Sequence, residues 1–270
     1  MRVVLLGTAA GAGFPRWNCG CPPCSAARDG KLPSRAPEAA AVTGNSRDWW
    51  LLNATPDVRT QLAAASALWP GAGPRSPVVR GVLLTDAEPE HVSGLTVLRG
   101  QPGLKVYATP PVLAALAPAR AMVDRYAPWG WEDSLTEGGF VLSGGLVVTA
   151  HSTGRTPPGY LPGRPDDGWT TAYRIEDLAT GGVLLYAPRI GDWGPELAEL
   201  LTSADCALLD GAYLAADATA ARAVADAGGP RRVHIGLDDA DPLLDPASAD
   251  RAELAGAGVE VLDDGAEFVL

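Results

Sequence analysis

Three cysteines in six residues, Cys19-Gly-Cys21-Pro-Pro-Cys24, form the densest set of soft donors in the chain. Thiolates spaced C-x-C-x-x-C in a tight turn can converge on one tetrahedral Zn²⁺ and leave one vertex for a distant ligand. Such a site stabilises the fold around it and requires the thiols to lose their protons. Free buried cysteines and an iron–sulfur site are the competing readings. The fourth cysteine, Cys206 in ADCALLD, reads as a small core residue on a strand. A second cluster, Thr85-Asp86-Ala87-Glu88-Pro89-Glu90-His91, follows directly on an apolar run. Carboxylates and an imidazole at the mouth of a strand suit Mn, Fe or Zn. A solvated acidic turn is the bland alternative.

The other two histidines are His151, which opens a Pro- and Gly-rich stretch, and His234, in RRVHIG. A lone strand histidine is more often a core residue than a ligand. His234 nevertheless precedes a second acidic loop, Asp238-Asp239-Ala240-Asp241. Two acidic loops at strand ends of an α/β protein can lie side by side, where such folds place ligands.

The elements that must position these groups follow from periodicity. Strands are expected at Val3–Gly7, Trp49–Asn53, Val78–Thr85, Lys105–Ala108, around 139–150, at 170–175, 183–187 and 206–210, and near 232–235 and 259–262. Helices are expected from Thr55 through Trp69, over Pro111–Asp124 and over 195–203, with two more in the last quarter. Residues 25–47 read as irregular, and Ser152–Gly168 as a long loop of the functional kind. Meandering strands in each half, interleaved with helices, predict an α/β sandwich of two sheets face to face with helices outside. No linker divides residues 1–270, so one domain is expected.

Composition sets limits on function. With 47% hydrophobic and 20% charged residues the 270-residue chain is an ordinary globular one, and a net charge of −11 argues against nucleic acid or an anionic membrane surface as partner. No run approaches the roughly 18 to 20 apolar residues of a membrane span. With no signal peptide visible and the cysteines too close together for a disulfide framework, a cytoplasmic location is expected.

With these segments in hand, the sequence resembles the PqqB family of pyrroloquinoline quinone biosynthesis proteins, which have the metallo-β-lactamase fold. GTAAGAGFPRWNCGCPPC resembles that family's opening signature, and LLNATPDVR, LLTDAEPEHVSGL, TPPGYLPGR, LLYAPRIG, ADCALLDGAY and DDADPLLD follow in family order. The resemblance implies an αββα sandwich with two metal sites. One is a structural zinc on Cys19, Cys21 and Cys24, with Asp239 as fourth ligand. The other is the lactamase-type site, whose H-x-H-x-D-H motif maps onto Asp86, Glu88, Glu90 and His91. That motif's carboxylate-rich form fits one metal better than two, with Fe, Zn or Mn as the ion.

The family is thought to oxygenate a peptide-derived tyrosine with bound iron, and an older reading makes it a carrier of the cofactor or its precursor. The chain departs from the family at several places. The family's late histidine aligns with Gly236, His234 stands two residues earlier, and His151 occupies an unusual place. The loop carrying Met-Gly-His after GAYL is also missing. The expected catalytic set is therefore Asp86 and His91, with His234, His151, Glu88 and Glu90 completing the shell. Asp86, His91 and His234 are the expected ligands of the active-site metal. Arg164, Trp169 and Arg189 are expected to line a pocket for a small-molecule or peptide-derived substrate, the arginines binding its carboxylate. A metal-dependent hydrolase shares these ligands. A homodimer is compatible with the sequence.

Overall fold

A computed structural model describes residues 1–73, 76–161 and 168–270. Six strands open the chain: β1 (Arg2–Gly7), β2 (Ala39–Thr43), β3 (Trp49–Leu52), β4 (Val79–Leu83), β5 (Lys105–Ala108) and β6 (Gly130–Asp133). Seven follow: β7 (Phe140–Leu142), β8 (Leu146–Gly154), β9 (Thr170–Asp177), β10 (Val183–Ala187), β11 (Cys206–Asp210), β12 (Arg231–Ile235) and β13 (Val259–Val261). The last strand, β14 (Glu267–Val269), returns to pair antiparallel with β1. Two seven-stranded mixed sheets result, ordered β14-β1-β2-β3-β4-β5-β6 and β13-β12-β11-β10-β9-β8-β7.

Strand alternation builds the layers. Leu5, Val42, Leu52 and Leu83 of the first sheet meet Tyr173, Ile175, Tyr186, Leu208 and Ile235 of the second in the central core. Their sequence neighbours face outward. Leu51, Val82 and Val106 pack under helical Val58, Leu95 and Val112, and Leu185, Ala207 and Leu209 pack under Leu197, Leu201 and Val224. This is the metallo-β-lactamase αββα sandwich.

The local exceptions have identifiable causes. Residues 25–47, expected to be irregular, contain β2, whose five residues are all buried because it sits between β1 and β3 and is covered on both faces. Uniform burial removes the period-two signal. The single helix expected over Pro111–Asp124 is two, Pro110–Ala115 and Ala117–Val123, restarting where Pro118 lacks an N–H. The Trp- and Gly-rich stretch carries edge strand β6, and β8 extends to Gly154, shortening the expected loop. Among the described residues no helix is long and apolar enough to cross a membrane.

Parallel pairing in both sheets (β3 to β6, and β10 to β13) sends the carboxyl ends of those strands to one edge of the sandwich. That edge is where residues 53, 85–91, 189, 210 and 236 emerge.

Candidate functional site

Cys24 lies in the first turns of a helix, Pro22–Arg28, and is fully buried against Ala9, Phe14, Leu237 and Leu244. Cys19 and Cys21 precede it on the incoming turn, and the loop after β12 delivers Asp239. One donor atom from each of Cys19, Cys21, Cys24 and Asp239 lies within 4.8 Å of every other. Cys24 Sγ is 3.9 Å from Asp239 Oδ2. A tetrahedral zinc with Zn–S near 2.3 Å and Zn–O near 2.0 Å would space its ligands roughly 3.5 to 3.8 Å apart. The four side chains therefore fit zinc with little adjustment. Arg16 braces the loop through Asp238 (3.0 Å) and Asp239 (3.5 Å), and Arg28 Nη1 donates to the Cys19 carbonyl at 2.6 Å.

The mouth of the sandwich is built around one imidazole. His91 belongs to a four-residue helical turn, Pro89–Val92, directly after the β4 exit, and it is almost completely buried. Its Nδ1 lies 2.7 Å from Asp86 Oδ2 and its Nε2 lies 3.2 Å from Glu38 Oε1. Asp86 is itself held. Its Oδ1 accepts the Glu88 N–H at 2.8 Å, and Oδ2 accepts the Thr85 hydroxyl at 2.9 Å. Asn53 fixes Thr85 in turn, accepting its N–H at 3.0 Å and donating Nδ2 to its hydroxyl at 3.0 Å.

From the other sheet, Tyr173 donates its hydroxyl to Leu84 O at 2.7 Å and the Thr171 N–H bonds Thr85 O at 2.8 Å, so the turn cannot swing away. Asp210, ending β11, completes the nest, with its oxygens accepting the N–H groups of Tyr213 (2.9 Å) and Ile190 (3.0 Å).

Charge in this nest is decided by burial against proximity. Burial alone would push Asp86 up, but the adjacent His91 holds it below the usual carboxylate range. Burial would equally depress His91, yet Asp86 and Glu38 hold it protonated well above its ordinary value. Burial wins at Glu38, pushed up to about 7, and it raises Asp210 too.

An ion at this mouth is implied by the fold family. Two donors turn toward each other there, His91 Nε2 and Glu38 Oε1 at 3.2 Å, short of the three protein donors that catalytic metal sites supply. An imidazole whose Nδ1–H is fixed by a carboxylate, with Nε2 turned toward further carboxylates, is the arrangement metal-ligating histidines use. Glu38 Oε2 is buried without a partner. Among the described residues, however, only the cysteine knuckle brings three or more donors within mutual reach.

The remaining expected residues separate clearly. Glu88 forms an ion pair with Arg189 at 2.7 Å beside the nest, and Glu90 adds to the negative field that raises Arg189. His234 is a correction. Its neighbours Val233 and Ile235 face the central core, so its ring points to the opposite, helix-covered face, and both ring nitrogens lack partners. Two residues further on, Gly236 at φ +68° ends the strand alternation.

His151 is a second correction. It faces outward on β8, bonded to Glu196 at 2.8 Å and Thr149 at 3.2 Å, in a cleft of about 420 Å³ shared with Asp192 and Gly194. Trp169 packs against the outer core of the first sheet. Arg164 lies outside the described residues. Glu38, Asn53, Asp210 and Tyr160, whose hydroxyl donates to Ala87 O at 2.7 Å, are not among the residues singled out from the sequence. Asp210 had a readable signal, an acid closing an apolar run (CALLD) as Asp86 closes VLLTD. Glu38 had none.

Comparison with known proteins adds the family. Residues 48–254 match the β-lactamase superfamily domain. Coenzyme PQQ synthesis protein B of Azoarcus sp. (strain BH72) is 35% identical, with 98% of each chain covered, and that of Pseudomonas syringae pv. syringae is 32% identical over the whole of both. The chain belongs to the PqqB family. The crystal structure of Zn²⁺-bound PqqB from Methylobacterium extorquens superposes over the full length of both chains with a TM-score of 0.89 at 31% identity. A diphosphatase of the PhnP family shares the fold, with a TM-score of 0.71 at 13% identity. In this chain Glu38 turns one carboxylate oxygen to His91 Nε2 and the other toward the bare Cα of Gly236.

Two stability predictions arise here. Asn53 adopts φ +67°, a conformation asparagine tolerates better than most residues, and its amide bonds Thr85 twice. Asn53→Ala is expected to cost about 2 to 4 kcal/mol in denaturant unfolding. A loss below 1 kcal/mol would show that the Asp86 turn is held without it.

His234 is pushed down to about 4 by burial alone, so the folded state holds fewer protons than the unfolded chain between that value and 6.5. Its contribution is neutral above pH 6.5 and becomes destabilising as pH falls, by about 2 kcal/mol at pH 5. His234→Leu should remove that part of the acid sensitivity. Parallel stability–pH curves for the two proteins would refute the assignment.

Proposed function

We propose that this chain acts in the assembly of pyrroloquinoline quinone or a related small molecule, modifying an aromatic amino-acid or peptide-derived precursor at the mouth around His91. The full-length relation to Coenzyme PQQ synthesis protein B supports the pathway. The observation that carries the site is the buried Asp86–His91–Glu38 chain beside Arg189. We assign zinc to Cys19, Cys21, Cys24 and Asp239 as a structural ion.

The chain's own groups have separate tasks. Asp86 fixes the His91 ring and holds the proton on Nδ1, and the Asn53–Thr85 pair holds Asp86. Arg189, half exposed and paired with Glu88, is placed to exchange that partner for a substrate carboxylate. The test is rescue of a bacterium lacking its own PqqB, read as growth that depends on a quinone-requiring dehydrogenase. Restored growth that fails with His91→Ala is expected. No restoration by the intact chain, expressed and folded, would refute the pathway. Restoration that survives His91→Ala would favour a carrier over an enzyme.

A further inference from the structure

Glu38 stands just before β2, and nothing in the motif after β4 announces it. Its backbone N–H bonds Ala9 O at 2.8 Å, and Ala9 also bridges to Leu237, so the segments carrying Glu38 and Gly236 are bound to the same short stretch of chain. Both ring nitrogens of His91 face a carboxylate oxygen, Asp86 Oδ2 at 2.7 Å and Glu38 Oε1 at 3.2 Å. A carboxylate oxygen bonds a ring nitrogen only through a proton between them. Each nitrogen's lone pair is therefore taken, whereas a histidine must give a bare lone pair to ligate a metal. The other acids and imidazoles are held elsewhere. Asp210 gives its oxygens to the N–H groups of Tyr213 and Ile190, His151 bonds Glu196, and His234 lies on the helix-covered face. Glu38 fits against His91 because residue 236 has no side chain. A Cβ there would stand 2.4 Å from Glu38 Oε2. That is far inside contact distance, and a carboxylate so deeply buried has little room to retreat.

We propose that in this chain a proton held between Glu38 and His91 Nε2 takes the place of the mouth ion that the fold family implies, and that the bare Cα of Gly236 admits the carboxylate that holds it. The two positions form one unit: Glu38 closes the nitrogen that Asp86 has oriented, and a bulkier residue 236 would exclude Glu38. The proposal rests on the reading of the mouth around His91 as the reactive place. The groups left to act on a precursor there are charged and proton-bearing side chains, His91 with Glu38 and Arg189 with Glu88. The cysteine knuckle is the one place among the described residues that gathers donors for an ion.

The test is metal uptake by metal-free protein, with Co²⁺ as the probe. Wild-type protein should take up one ion per chain, with the intense sulfur-to-metal absorption of the knuckle. A second ion without that absorption would overturn the proposal. Glu38→Ala combined with Gly236→His removes the carboxylate and sends an imidazole into the room it leaves, beside His91 Nε2. The double variant should rise from one ion per chain to two, the added one lacking sulfur absorption and the knuckle spectrum unchanged. If it folds, as circular dichroism would reveal, and still binds one ion only, Glu38 is not what keeps an ion from His91 and the proposal fails. Should it not fold, the wild-type count decides alone. The growth rescue depends on none of these counts, so the pathway assignment stands or falls separately.

Discussion

Replacing Cys24 with serine is expected to yield protein without bound zinc and with a loss of about 3 to 5 kcal/mol, some 10 °C in Tm. Cys24 is the fully buried member of the knuckle and shares a small core with Ala9, Phe14, Leu237 and Leu244. With one thiolate gone, the remaining sulfurs and Asp239 should lose the ion expected to neutralise them, leaving Arg16 on Asp239 and Arg28 at the Cys19 carbonyl. The full binding energy is not lost, because the two-sheet core does not depend on the knuckle. Inductively coupled plasma mass spectrometry and thermal unfolding together check the result. An unchanged Tm with zinc absent would show that the cluster is not structural.

The second large effect is expected at His91. His91→Ala removes the one buried cation among Asp86, Glu38 and Asp210, leaving carboxylates facing each other in a medium that hydrates them poorly. Removing one partner of a buried charged pair typically costs about 3 to 5 kcal/mol. The variant should therefore unfold at markedly lower denaturant. The knuckle zinc should remain. A cost under 1 kcal/mol would mean that the carboxylates are already neutral or hydrated, and that the nest is not organised by the imidazole.

Much of this was readable from residue order. C-x-C-x-x-C spacing placed three donors on one turn, and an acid–histidine run after an apolar strand placed Asp86 and His91 together, because both signals are local. Glu38 and Asp210 reach the same point only through the pairing of β1 with β2 and of β10 with β11, contacts that short-range periodicity does not encode. His234 shows the opposite failure. Alternation every two residues is sound within a strand, but it ends at a left-handed glycine, and a ring expected near the mouth lies instead on the helix-covered side. β2 escaped for a third reason: a strand buried on both faces resembles any short apolar run.

Gly236 and Asp239 belong to one loop, three residues apart, so the sulfur clasp and the reactive mouth share a tether. Anything that unfastens the clasp, such as peroxide attacking the thiolates or a chelator, slackens the backbone that keeps Glu38 seated. Handling during purification is therefore expected to matter: a preparation stripped of an ion at the far side of that loop should show a loosened Glu38 with every mouth residue intact.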